Sequence, residues 1–160
     1  MLLIHQKALR ILVCLPLCAV LHVGAQQTTT PAPTGDGREG TLKIVQGDVT
    51  VVRGNARSAA VAGGPVQATD RIVTGPASAA SLTLKDGTVL SLGPDSVADI
   101  SQFAFNGTTH EGNVLVNLLR GSLRMVTGLI AKTQPEQVKV TTPTLVIGVR
   151  GTDFIVEEKP

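Results

Sequence analysis

The chain has 160 residues, a formal net charge of +2 and almost no aromatic side chains: three Phe, no Trp and no Tyr. Both cysteines, Cys14 and Cys18, and two of the three histidines, His5 and His22, fall within the first 25 residues, so disulfides, thiol catalysis and Cys/His zinc sites are excluded from the rest. Lys7 and Arg10 fall there too, which leaves a nearly neutral remainder with neither the electrostatic footprint nor the stacking platforms of a nucleic-acid binder.

Residues 1–25 follow the order of a secretory signal peptide. Lys7 and Arg10 precede an apolar run from Ile11 to Leu21, and Val23-Gly24-Ala25 offers small or branched residues at a cleavage site after Ala25. The run is well short of the roughly 20 residues that cross a bilayer as a helix, and Pro16 interrupts it. Leu17 before Cys18 and Val13 before Cys14 do not suit a lipoprotein signal. The expectation is a bacterial protein, periplasmic or secreted, with no membrane span in the mature chain. Residues 26–40, polar with Pro31, Pro33 and three glycines, read as a flexible linker.

From Thr41 onward, runs of Val, Ile, Leu and Thr alternate with turn signals such as Gly47-Asp48, Gly54-Asn55, Gly63-Gly64-Pro65, Asp86-Gly87, Gly93-Pro94 and Asn106-Gly107. That texture predicts an all-β domain over 41–158, a single unit of short strands forming a twisted antiparallel sandwich or a short β-solenoid. Leu42 and Ile44 with Val49 and Val51 form an opening pair around Gly47-Asp48. Ile72-Val73, Leu123 with Met125, Val138 with Val140, and Phe154 with Val156 supply further core. Val114–Arg120 is an apolar stretch whose period alone is ambiguous.

The segment Ser81–Leu92 fixes its own register. A two-residue Asp86-Gly87 loop would split the leucines between two faces. A three-residue loop, Lys85-Asp86-Gly87 with Gly87 left-handed, pairs Leu84 with Thr88 and Leu82 with Leu90, so that Leu82, Leu84, Leu90 and Leu92 share one face. A buried face selects the second register.

Candidate chemistry is sparse. His110 lies in a polar, turn-rich stretch without a visible nucleophile or orienting partner, and reads as a solvated loop residue. Asp86, Asp95 and Asp99 lack the alternating spacing of a calcium loop and read as turn and strand-end residues. Asn106-Gly107-Thr108 is a glycosylation sequon that matters only in a eukaryotic host, and Gly148-Val149-Arg150-Gly151-Thr152 is not a phosphate loop. No cofactor or metal site is expected.

The order of short motifs resembles the FecR domain, an all-β periplasmic module. The matching pieces are the opening strand–Gly–strand of Leu42–Arg53, then Thr69-Asp70-Arg71-Ile72-Val73-Thr74-Gly75, and the Ala80–Leu84 strand into Asp86-Gly87-Thr88. Gly121-Ser122-Leu123-Arg124 follows, and Thr142–Arg150 leads into Gly151-Thr152-Asp153-Phe154-Ile155-Val156. The resemblance marks Asp70, Gly75, Asp86, Gly87, Gly121, Gly151, Thr152 and Phe154 as motif positions. It implies an envelope interaction and signalling module rather than an enzyme, with an envelope protein or a cell-surface polymer as partner. The best-known relatives bind a cytoplasmic sigma factor; a signal peptide in place of their cytoplasmic segment points to a stand-alone domain. It also implies an alternative, since some FecR-type regulators are cut at a Gly-Thr bond: the Thr152 hydroxyl would attack the Gly151 carbonyl, releasing the amine and leaving an ester for water to open.

Overall fold

A computed structural model describes residues 37–150 and 153–159. The signal segment and the Gly151-Thr152 pair lie outside the described residues. Period-two alternation of apolar and small polar residues produces twelve strands. These are β1 (Gly40–Gln46), β2 (Val49–Arg53), β3 (Ala56–Ala59), β4 (Pro65–Val66), β5 (Arg71–Thr74), β6 (Ala79–Leu84), β7 (Val89–Leu92), β8 (Val97–Phe105), β9 (Gly112–Val126), β10 (Val138–Thr141), β11 (Val146–Gly148) and β12 (Asp153–Glu158). A five-residue helix, α1 (Leu129–Thr133), and a 3-10 turn at Pro135–Gln137 follow β9.

The topology is that of four long strands, each bent across its middle. β1 runs into β2, β5 into β6, and β7 into β8, while β9 is continuous. The first halves and second halves pair with different neighbours, giving a front sheet ordered β4-β1-β6-β7-β9-β12 and a back sheet ordered β3-β2-β5-β8-β9-β10-β11. β9 belongs to both. Residues 112–120 pair with β8, and 121–126 with β7 and β12. All these pairings are antiparallel except β9 with β10. The expected all-β fold is present, in the antiparallel two-layered form.

The inward residues of the two sheets make one core. Leu42, Leu82, Leu90, Leu92, Leu123 and Met125 come from the front, and Val51, Ile72, Ile100, Val116, Leu118 and Val140 from the back. The Ser81–Leu92 hairpin has the expected register, Leu82 opposite Leu90, with Leu84 N–H donating to the Thr88 carbonyl at 2.8 Å and Gly87 at φ +86°. All four leucines are buried. The ambiguous stretch Val114–Arg120 is strand: Val114, Val116 and Leu118 point inward at period two.

The expected opening pair is corrected. β1 and β2 do not pair with each other: β1 joins β4 and β6, and β2 joins β3 and β5. Gly47, at φ +70°, bends the chain from one sheet to the other instead of reversing it. Ile44 is not core either. A bulge between Leu42 and Ile44 turns it outward, opposite Ser81, and it is 58 % exposed.

Candidate functional site

The motif positions do not converge on one pocket; they build the frame. Asp70 sits in the turn before β5 with its side chain fully buried. It accepts a bidentate pair from Arg53, Nε to Oδ1 at 2.7 Å and a terminal nitrogen to Oδ2 at 2.8 Å, and the Gln67 N–H at 2.8 Å. Its backbone carbonyl accepts from Ile100 N–H at 2.9 Å, so one residue ties the end of β2, the turn and β8 together. The hydrogen-bonded Asp70 carboxylate raises the Arg53 guanidinium above its already high ordinary value.

Asp86 organises the hairpin tip. Its buried carboxylate accepts from the Thr88 N–H at 3.0 Å and the Thr88 hydroxyl at 2.7 Å; Thr88 Oγ1 in turn accepts from Gly128 N–H. The Asp86 carbonyl receives Leu129 N–H at 2.8 Å, which fixes the start of α1. Asp95 occupies the turn between β7 and β8, as read from the sequence. Asp99 is corrected from a strand end to the body of β8, where Arg71 grips it at 2.6 and 2.8 Å. Among the described residues no three His, Cys, Asp or Glu side chains gather as a metal site would require.

Gly75 and Gly121 lie on the fold line between the sheets, and here the sequence reading missed a feature. Gly75-Pro76-Ala77-Ser78 and Gly93-Pro94-Asp95-Ser96 make the same turn, with Ala77 at φ +52° and Asp95 at φ +50°. In each, the serine hydroxyl donates to the proline carbonyl at 3.0 Å. Each hydroxyl then accepts a backbone N–H just past a left-handed glycine, Asp48 after Gly47 in one case and Ser122 after Gly121 in the other, both at 2.9 Å. Thr74 links the two turns, donating to the Gly93 carbonyl at 2.7 Å and accepting Ser96 N–H at 2.9 Å. Thr74, Ser78 and Ser96 are buried, so the bend of all four strands rests on a satisfied polar seam. The signal that could have found it is the G-P-x-S repeat.

His110 lies in the loop between β8 and β9 at φ +59°, its ring stacked on Phe105 at 6.2 Å between centroids. A cleft of about 230 Å³ opens beside β3, lined by Leu42, Val51, Arg53, Val61 and Pro65; that is below the size that encloses a typical small-molecule ligand. Phe154 packs half-buried against the core opposite Met125, beside buried Val156.

β12 is an open edge. Among the described residues it pairs only with β9 and forms one edge of the front sheet. Ile155 points outward, 65 % exposed, between Asp153 and Glu157. Arg124 holds Asp153 in a two-point ion pair at 2.9 and 2.5 Å, and this hydrogen bonding keeps the Asp153 carboxyl below its ordinary range. The neighbouring edge of the back sheet, β11, carries exposed Leu145 and Val146, and Thr144 reaches across to Glu158 at 3.0 Å.

No helix among the described residues is long and apolar enough to cross a membrane. Comparison with curated proteins and with solved structures returns no match. Residues 70–160 match the FecR protein family, a span that takes in the buried Asp70, the strands β5 to β12 and both G-P-x-S turns, and leaves out β1 to β4. On that match over more than half its length, the chain belongs to the FecR family.

Proposed function

We propose that this chain is a non-enzymatic interaction module of the bacterial cell envelope, periplasmic or secreted, that acts in signalling by docking a partner on an open strand edge. Membership of the FecR family suggests a signalling or regulatory role, and the family is generally envelope-associated. The observation that carries the reading is β12: a six-residue strand paired on one side only among the described residues, with Ile155 exposed at its centre. Such an edge offers a ladder of backbone donors and acceptors to an extended partner segment. Asp153, Glu157 and Glu158 bias the choice. Two copies pairing β12 antiparallel would set carboxylates against one another, whereas a partner strand carrying Lys or Arg would meet them favourably.

Crosslinking and affinity capture of the tagged protein from the envelope of the producing cell tests this. Recovery of one envelope protein in stoichiometric amount, lost in Ile155→Lys but kept in Ile44→Lys, which lies on the same outer face but four strands away on β1, is the expected result. Recovery unaffected by Ile155→Lys would refute the edge as the docking element. Intact mass of the same preparation addresses the alternative: loss of Thr152–Pro160, abolished by Thr152→Ala, would replace the binding module with a self-processing protein.

A further inference from the structure

The near-neutral charge of the chain conceals a segregation that only the topology reveals. Residues paired directly across a sheet share a face, so the registers place one row over the outer side of the back sheet: Arg57, Val52, Arg71, Asp99, Asn117 and Thr141. Arg120 lies opposite Val97 one step along, and Lys139 opposite Leu115 one step the other way. This face therefore bears Arg57, Arg71, Arg120 and Lys139 against the single acid Asp99. Arg71 is spent on Asp99. Arg57, Arg120 and Lys139 are exposed and, among the described residues, have no carboxylate partner. At about 4.8 Å per strand step, Arg57 on β3 stands four steps, roughly 20 Å, from Arg120 on β9, with the paired Arg71 midway. Lys139, one strand beyond and about five residues along, is a similar distance from Arg120. They stand over a floor of small or branched side chains, Thr50, Val73 and Val97.

The same face carries a band of amides and hydroxyls. Asn117 donates to Ser101 at 2.6 Å and receives the Thr141 hydroxyl, and Asn113 donates to Gln102 at 3.1 Å. Each amide keeps spare donor or acceptor capacity. Aromatic surface, by contrast, is withdrawn: Phe103 on β8 is buried. An open sheet face with separated, unpaired cations and hydrogen-bonding amides, lacking a stacking platform, suits an extended polymer that repeats a carboxylate and presents hydroxyls. It does not suit a nucleic acid, whose bases ask for stacking, or a neutral glycan, which offers the cations nothing.

We infer that the outer face of the back sheet binds an acidic, uronate-bearing polysaccharide of the cell surface through Arg57, Arg120 and Lys139. This surface is separate from the β12 edge, and the inference rests on the envelope reading only for where such a polymer would be met. The test uses the full chain with polygalacturonate as probe and dextran as its neutral counterpart, in affinity electrophoresis and titration calorimetry. Polygalacturonate is expected to bind and dextran not to. Binding should weaken at least about tenfold between 20 and 300 mM salt as released counterions are recaptured. The triple variant Arg57→Gln, Arg120→Gln, Lys139→Gln should lose at least about tenfold in affinity with an unchanged melting temperature, the single variants proportionately less, and Lys43→Gln on the front sheet nothing. Equal binding of dextran, retention by the triple variant, or binding of polyphosphate in place of polygalacturonate would each overturn the assignment. If polygalacturonate fails to bind while the capture experiment still recovers its protein, the edge reading stands and only this face loses its ligand.

Discussion

Gly87 and Gly121 form a natural controlled pair, because their backbones are nearly identical in φ, +86° and +87°, while their surroundings are opposite. A Cβ at Gly87 would meet nothing within 4 Å; one at Gly121 would lie 2.5 Å from the Cα of Ser96, deep inside contact distance. Gly87→Ala therefore measures the left-handed backbone cost alone, about 1–2 kcal/mol, less the few tenths to 1 kcal/mol recovered by restricting the unfolded chain. Gly121→Ala adds the overlap with Ser96. Because the clash is with backbone, relief requires the seam itself to shift, and overpacking of this kind costs about 1–3 kcal/mol more. Gly121→Ala should thus lose about 2–4 kcal/mol and Gly87→Ala about 1 kcal/mol, and Ser96→Ala should not rescue the former. The chain has no Trp or Tyr, so urea unfolding is best followed by far-ultraviolet circular dichroism. Equal losses for the two glycines, or rescue by Ser96→Ala, would refute the fold line as a tightly packed seam.

Other expectations follow from single contacts. Asp70→Asn keeps the shape but weakens the hold on Arg53 and the Gln67 N–H, and should cost about 1–3 kcal/mol in urea unfolding. His110→Ala removes only a ring stacked on Phe105 at the surface; melting and partner capture should both be unchanged within about 0.5 kcal/mol. Asp153, held below its ordinary range by Arg124, favours the folded state above the unfolded carboxyl value, and that contribution fades as pH falls through the folded value. Carbonyl-detected NMR titration should show the Asp153 midpoint rising toward the ordinary range in Arg124→Gln, and an unmoved midpoint would remove Arg124 as its cause.

What was legible in the sequence was whatever a buried face or a short range specifies. The leucines of Ser81–Leu92 can share one side in only one register, so the loop length and the left-handed Gly87 followed from burial alone. Val114–Arg120 was ambiguous because a strand paired on both sides and a helix turn read alike over seven residues; β9 was settled by the four strands that flank its two halves. β1 and β2 misled because a glycine that bends a strand between sheets and a glycine that reverses it carry the same signal; the difference lies in Ser78, thirty residues on. The parallel pairing of β9 with β10 is nonlocal in the same way. Of the surfaces, Ile155 was visible only as one more apolar residue in an alternating strand, and the cations of the back face, scattered from Arg57 to Lys139, became neighbours only through strand order.

Site-specific photocrosslinking in the producing cell bears most directly on the central claim, that this domain works by presenting an open edge to an envelope partner. A photoreactive residue would replace Ile155 on β12, and in parallel Ile44 on β1, on the same face but four strands from that edge. A discrete protein adduct is expected from position 155 and none from 44. Adducts at both positions alike, or at neither while the protein is present and folded in the envelope, would contradict that claim.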